Sequence, residues 1–199
     1  MNQTLFDSCG EFEISIRGGK SVTLRYPTDD QMARYQARVK IVTKRVGRDG
    51  TTTDIQGVEA AALELWEAIR VSGDDLDEFE AAYVVERLTT AEADEVEREG
   101  DDFRIHLDLI GGMRTSHLLR APKIAEERKH DRRAISVIRR GASTEIKTDI
   151  RAFGDFYGLL AKHAEGYVNG AVPIGHKVAV VERLMREVRA AEQEPEPGN

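Results

Sequence analysis

The chain has 199 residues, of which 40% are hydrophobic and 33% are charged, and its formal net charge is −7. This composition supplies enough apolar residues for a buried core, which excludes a wholly disordered chain. No window approaches the roughly 18 consecutive apolar residues that a membrane-spanning helix needs, so no membrane association is expected. A single cysteine, Cys9, excludes an internal disulfide and a cysteine-based zinc site. No apolar segment typical of a secretory signal follows Met1, and a cytoplasmic location is therefore expected.

The first predicted element is a β-hairpin. Residues 11–17 alternate apolar and polar side chains, Gly18 and Gly19 suit a tight turn, and residues 21–26 alternate again. After Pro27, the spacing of Thr28 and Gln31 fits a capping box that begins a helix. This helix is predicted to run to Gly47, because apolar residues follow at helical spacing: Met32, Tyr35, Val39, Val42 and Val46.

Four segments follow in the first half. Residues 48–57 are polar and contain glycine, which predicts a loop. A second helix is predicted over residues 58–71, with Leu63, Trp66 and Ile69 near one face. Two shorter helices are predicted over residues 76–88 and 90–99, the latter strongly acidic.

The same order of patterns then restarts. Residues 103–109 and 114–120 alternate around Gly111 and Gly112, which predicts a second hairpin. Helices are predicted over residues 122–140 and 145–164, and after a loop over 166–175 a last amphipathic helix spans 175–191. The final eight residues, 192–199, are acidic and proline-containing, and we expect a mobile tail.

The pattern predicts a helix-rich α+β fold with an internal duplication of a hairpin-helix-helix unit. Its two hairpins are expected to form one small antiparallel sheet or to extend the sheet of a neighbour, since an isolated hairpin is marginally stable. The predicted units are residues 1–100, which include the acidic helical segment 72–100, and residues 101–191, which include the C-terminal helix. The tail over 192–199 lies outside both.

Charge is distributed unevenly along the chain. Residues 72–102 contain thirteen acidic residues against two arginines, a net charge of −11. Residues 103–140 contain ten lysines and arginines against four acidic residues, a net charge of +6. The two blocks either form solvated faces, or pair with each other, or pair with a second subunit.

Two sets of residues are candidates for contact with partners. The last helix presents an apolar stripe that either binds another protein or completes the chain's own core: Val178, Val181, Met185 and Val188. A basic cluster is the candidate for nucleic acid: Arg128, Lys129, Arg132, Arg133, Arg139 and Arg140. Acidic residues interrupt this cluster and a helix would spread it around its circumference, whereas phosphate binding needs convergent positive charge. Nucleic-acid binding is therefore the less favoured use.

No motif predicts an enzyme. Residues 18–21 resemble the end of a phosphate-binding P-loop, but the first glycine is missing and the segment lies between two strands. His106, Asp108 and His117 could meet on the second hairpin as an acid–base pair or metal site, although polar residues on the outer face of a sheet explain the same pattern. We expect no catalytic residue, metal or cofactor.

Two segments carry a family resemblance. The opening hairpin, residues 12–24, followed by Pro27 and Thr28 and an amphipathic helix, resembles the start of small tail-morphogenesis proteins of long-tailed bacteriophages. Residues 166–177 are also similar to phage virion-assembly proteins. The resemblance implies a tail assembly chaperone, which coats the tape-measure protein and recruits tail-tube subunits in the host cytoplasm. The duplication departs from that family and leaves a structural virion component, such as a tail or connector subunit, as an alternative.

The sequence therefore predicts a non-enzymatic assembly protein that acts through contact with other proteins and with copies of itself. The alternative is a nucleic-acid-binding regulator that uses residues 128–140.

Overall fold

The computed structural model describes residues 11–16, 18–46, 50–89, 91–109, 113–140, 143–167 and 172–193. In this part of the chain, the order of elements in the first half is repeated in the second. The first half contains β1 (Glu11–Ser15), β2 (Ser21–Arg25), α1 (Asp29–Arg38), β3 (Lys40–Val46), β4 (Gly50–Gln56), α2 (Val58–Ile69), β5 (Arg70–Gly73) and α3 (Glu78–Thr89).

One additional strand, β6 (Glu92–Glu99), precedes the repeat of this order. The second half contains β7 (Asp102–Leu109), β8 (Met113–Arg120), α4 (Ile124–Ala134), β9 (Ile135–Arg140), β10 (Ser143–Thr148), α5 (Ile150–Leu160), β11 (Ala161–Glu165) and α6 (Ile174–Gln193). The fold is α+β, as predicted from the sequence. The tail over 194–199 lies outside the described residues.

The strands form three antiparallel sheets, with the orders β1-β2-β5, β6-β7-β8-β11 and β4-β3-β10-β9. The two hairpins predicted from the sequence, β1–β2 and β7–β8, lie in different sheets, so the expected single sheet is wrong. Each hairpin instead gains a third strand, β5 or β11, that follows the second helix of its half. Gly73 allows the close approach of β5 to β2, because a Cβ atom there would lie 2.5 Å from the carbonyl oxygen of Ser21.

The hydrophobic core is one buried cluster with residues from both halves. Its sheet residues alternate with exposed ones, as in β1, where Phe12 and Ile14 point inward. The helices α2, α3, α5 and α6 close the core, with Trp66, Val84 and Leu184 among the buried side chains. The third sheet, which we call the outer sheet (β4-β3-β10-β9), contributes no described residue to this cluster.

The capping box at the start of α1 is confirmed. The Gln31 side chain accepts from the Thr28 amide at 2.8 Å, and the Thr28 hydroxyl accepts from the Gln31 amide. The predicted extension of this helix to Gly47 is wrong, since α1 ends at Arg38 and β3 begins at Lys40. The β-branched residues of β3 explain the change, because such side chains pack well on a pleated strand. The polar segment predicted as a loop over 48–57 contains β4.

Three further segments that were predicted as helices are strands in part or throughout. The acidic segment predicted as a helix over 90–99 forms β6, in which Val96 alternates with exposed glutamates. The helix predicted over 122–140 ends at Ala134, and β9 follows it. The helix predicted over 145–164 is only α5, with β10 before it and β11 after it. The predicted helices over 58–71, 76–88 and 175–191 are present with small shifts of their ends.

The acidic and basic blocks meet within the chain. Strand β6 of the acidic block pairs with β7 of the basic block at the edge of the sheet β6-β7-β8-β11. Ion pairs join Arg104 to Glu99 and Arg114 to Glu95 across this boundary. These pairs are solvent-exposed, so each contributes little to stability, but they account for the adjacent blocks of opposite sign.

Candidate functional site

A row of apolar side chains crosses the outer sheet from one edge to the other. Strand pairing places Ile55 opposite Ile41, Ile41 opposite Ile146, and Ile146 opposite Val137. Residues directly opposite one another in adjacent strands share a face of the sheet. The row therefore lies on one face and includes one residue from each of the four strands.

This row is largely open to solvent. The exposed fraction is 57% for Ile55, 55% for Val137 and 37% for Ile146. Ile135, two residues before Val137 and on the same face, is 52% exposed. Contiguous exposed apolar side chains on a folded protein mark interaction sites more often than isolated ones do. The outer sheet is thus the candidate interaction surface of this chain.

The two edge strands of the outer sheet, β4 and β9, each pair on one side only within the described residues. Residues 51–56 of β4 are all exposed, as are Ile135, Ser136, Val137 and Arg139 of β9. An exposed edge presents unpaired backbone N–H and C=O groups, which another strand can use as a template.

A groove of about 490 Å³ separates the outer sheet from the body of the protein. Ile41 and Ile146, the central members of the apolar row, line one wall, and Met32 of α1 and Val178 of α6 lie on the other side. Gln36 also lines it, and its buried Oε1 has no hydrogen-bond partner among the described residues. The groove extends the apolar surface inward from the sheet.

The apolar stripe predicted on the last helix faces mainly inward. Val181 and Met185 of α6 are buried in the chain's own core, with 0% and 6% of their surface exposed. Val178 and Val188 are partly buried and pack against that core. The apolar stripe of the last helix therefore completes the chain's own core, which is one of the two uses predicted for it. Binding of another protein by this helix stays a prediction, and only Val178 and Val188 keep surface for it.

The predicted basic cluster is divided between two elements. Four of its members are exposed on α4: Arg128, Lys129, Arg132 and Arg133. Arg139 is exposed on β9 rather than on the predicted helix, and the side chain of Arg140 lies outside the described part. Arg133 donates to Asp155 at 2.9 Å, so its charge is already paired.

The three residues considered as an acid–base or metal site lie on opposite faces of their sheet. His117 pairs with Ile105 and points into the core, where none of its surface is exposed. His106 and Asp108 lie on the outer face, as their two-residue spacing predicts. The arrangement does not bring His117 to the other two.

One group on that outer face has the composition of a metal site. Glu95, Glu97 and His106 each offer a ligand atom within 4.8 Å of the others. Glu95 is ion-paired with Arg114, and both glutamates are exposed. Such acidic groups are common on protein surfaces without an ion, and these residues carry no functional assignment.

A buried polar network, which the sequence did not predict, joins three parts of the second half. The His117 Nδ1 atom lies 2.9 Å from the Tyr157 hydroxyl of α5. The Tyr167 hydroxyl lies 2.9 Å from His117 Nε2, 3.0 Å from His176 Nδ1 and 3.0 Å from the Thr115 hydroxyl. All five residues are at least nine-tenths buried.

One arrangement of protons satisfies these contacts with both imidazoles neutral. Tyr157 donates to His117 Nδ1, the two histidines donate to the Tyr167 oxygen through His117 Nε2 and His176 Nδ1, and Tyr167 donates to Thr115. Burial lowers the pKa of His117 and of His176 to about 3, which keeps them neutral. Because the network is closed to solvent, its role is to hold the core together rather than to meet a substrate.

A scan of protein-family models and searches of curated proteins and of solved structures found no match to the chain. Among the described residues, no helix is both long enough and apolar enough to cross a membrane. The geometry of the outer sheet is therefore the main structural guide to function.

Proposed function

We propose that this chain is a non-enzymatic assembly protein that contacts other proteins through its outer sheet. The supporting observation is the apolar row of Ile55, Ile41, Ile146 and Val137, in which all but the partly buried Ile41 are exposed, on a sheet that adds nothing to the described core. A sheet that is not needed to bury the chain's own apolar residues, yet carries such residues itself, is suited to bury them against a partner.

The proposed setting is tail morphogenesis of a long-tailed bacteriophage, in the host cytoplasm. Its support is the resemblance of residues 12–28 and 166–177 to proteins of that class. Two roles fit an assembly protein there. One is a tail assembly chaperone that binds the tape-measure and tail-tube proteins, and the other is a tail or connector subunit that stays in the virion.

The test of the contact surface compares two neighbouring substitutions on β4. Ile55→Lys places a charge in the apolar row, whereas Gln56→Lys places the same charge on the opposite face of the same exposed strand. Each variant is co-expressed with phage tape-measure and tail-tube proteins, and co-purification and solution mass are measured. We expect Ile55→Lys to weaken association and Gln56→Lys to preserve it. Equal behaviour of the two variants would reject the apolar face as the contact surface.

The two phage roles differ in whether the chain is present in the finished virion. A chaperone raises the soluble yield of a co-expressed tape-measure protein and is missing from purified virions, whereas a virion component is detected in them by mass spectrometry. No effect on tail proteins, together with absence from particles, would reject the phage setting. The solution mass of the parent and of its variants would then test whether the chain assembles at all.

A second candidate function is nucleic-acid binding by the exposed face of α4. The observation in its favour is that Arg128, Lys129 and Arg132 have no ion-pair partner among the residues that the structure describes. Retention on a DNA column should then weaken steeply with salt, by a logarithmic slope of about 0.9 per phosphate contacted. Replacement of Arg132 and Arg133 by Glu should abolish retention. Absence of retention at low salt would exclude this function.

A further inference from the structure

The outer sheet is built from two hairpins placed side by side in the same orientation. Its order is β4-β3-β10-β9, and every neighbouring pair is antiparallel. Strands β4 and β10 therefore run in one direction, and β3 and β9 run in the other. A displacement of two strands across the sheet takes the hairpin of the first half onto that of the second half.

This displacement also preserves the rows of side chains. One row contains Ile55, Ile41, Ile146 and Val137, and the next contains Thr53, Thr43, Thr144 and Arg139. At the junction of the two hairpins, Ile146 of β10 lies opposite Ile41 of β3. Displacement by two strands moves Ile55 onto Ile146 and Ile41 onto Val137. The free edges, β4 and β9, thus correspond to the two strands that form the junction inside the chain.

We infer that the outer sheet continues between copies of this chain, with β9 of one copy paired antiparallel with β4 of the next. The inference rests on the proposed function, and it names the partner as a second copy and the contact as strand addition. The register of the internal junction predicts that Val137 lies opposite Ile55, and Arg139 opposite Thr53, of the neighbouring copy. Each row of side chains would then continue from one copy into the next.

Charge favours this pairing over the pairing of identical edges. Strand β9 contains two arginines and no acidic residue, whereas β4 contains Asp54 and no basic residue. A β9–β4 contact therefore joins strands of opposite charge, while a β9–β9 contact joins two positive strands. Both edges are exposed, so the pairing requires no rearrangement of the fold.

The contact is heterologous, because each copy uses one edge to accept and the other edge to donate. A dimer formed this way still has one free edge of each kind, and growth continues until a ring closes or a filament forms. The alternative contacts, β4 with β4 or β9 with β9, would close at a dimer. The two classes of assembly are therefore distinguishable by which pairs of positions come together.

The experiment uses single cysteines in a full-length background where Cys9 is replaced by Ser. One variant carries Ile55→Cys and a second carries Val137→Cys, two exposed positions where substitution has little effect on folding. Directly opposite residues have Cβ atoms about 4.5–5.5 Å apart, close to the range that a disulfide spans after small adjustments. Mixing the variants under mild oxidation should give at least about tenfold more linked dimer than either variant alone.

Two further samples sharpen the result. A chain that carries both substitutions should form a ladder of linked oligomers, since every copy can link at both edges. The matched control replaces Gln56 instead of Ile55, which places the cysteine on the opposite face of β4 and keeps the Asp54 charge, and it should link poorly to Val137→Cys. Circular dichroism of each variant verifies that it folds as the parent does.

The inference is overturned if single variants link as well as the mixture, because the edges then pair with themselves. It is also overturned if the parent chain is monomeric at all concentrations tested, or if it is oligomeric and the mixture does not link. These failures are separate from failure of the proposed function. If Ile55→Lys still weakens binding of tail proteins, the sheet is a contact surface for other proteins and only the pairing between copies is rejected.

Discussion

The buried histidines predict a loss of stability in mild acid. In the folded chain, burial lowers the pKa of His117 and of His176 to about 3, whereas the usual value in an unfolded chain is about 6.5. Between these values the unfolded chain binds protons that the folded chain does not. The free energy of unfolding therefore falls as the pH decreases from about 6.5 toward about 3, and these two groups contribute no pH dependence above that window.

The magnitude follows from the width of this window. Each histidine changes the free energy of unfolding by about 1.4 kcal/mol per pH unit within it. Between pH 7 and pH 5, each contributes a loss of about 2 kcal/mol, so the pair contributes about 4 kcal/mol. His130 adds to the loss, because its pKa is also lowered, chiefly by burial. A domain of ordinary stability, about 5–15 kcal/mol, would be weakened substantially.

Urea unfolding at pH 7 and pH 5 measures this loss directly. His176→Phe removes one titrating group, and we expect the difference between the two pH values to shrink by about 2 kcal/mol relative to the parent. The matched control is His163→Phe, because the side chain of His163 is 64% exposed and lies outside the network. An undiminished difference in His176→Phe would refute the assignment of acid sensitivity to this histidine, whatever the change in stability at pH 7.

Other substitutions test particular contacts, each by urea unfolding at neutral pH. Tyr167→Phe removes the oxygen shared by two buried imidazoles and should cost about 2–6 kcal/mol, while Tyr83→Phe at an exposed site should cost almost nothing. Thr28→Ala removes the cap of α1 and should cost about 1 kcal/mol. Gly73→Ala should cost about 1–3 kcal/mol or more, since φ is +112° and the new Cβ would strike β2. Gly158→Ala, with open space around a helical glycine, should instead stabilise by about 1 kcal/mol.

Local sequence signals predicted the elements that bury one face. The hairpin β1–β2 follows from the alternation that places Phe12 and Ile14 inward, and the start of α1 follows from its capping box. The recurrence of hairpin, proline and helix in the second half also corresponds to a repeated order of elements. These features depend on residues within a few positions of one another, which is the range over which sequence patterns act.

The outer sheet was missed for an equally physical reason. The spacing of Met32, Tyr35, Val39, Val42 and Val46 fits a helix, although α1 ends before the last three. In β3 the apolar Ile41 and Val42 occupy opposite faces and both are partly buried, so no alternation distinguishes inside from outside on a sheet in which none of the described side chains is fully buried. The β-branched run over 51–53 was the available signal for β4.

The buried polar network could not be predicted from spacing at all. His117 contacts Tyr157, 40 positions later, and Tyr167, 50 positions later. Histidine and tyrosine are intermediate between typically buried and typically exposed residues, so their positions in the sequence do not show that they are buried. Only the packing of α5 and α6 on β8 brings these side chains together. Pairing His117 with His106 by proximity in sequence placed it on the wrong face of its sheet.

The separation between core and outer sheet is the strongest argument that the sheet serves a partner. The described core closes without any residue of β3, β4, β9 or β10, while the apolar stripe of α6 is largely used to complete it. Solvent-facing isoleucines on a sheet outside the core would be an aggregation hazard, and the exposed edges of the sheet add to it. The proposed burial against another copy, along edges that match the junction already inside the chain, would remove both hazards in one contact. A sheet that contributes no described residue to the core, yet carries exposed apolar side chains and two exposed edges, is therefore suited to assembly.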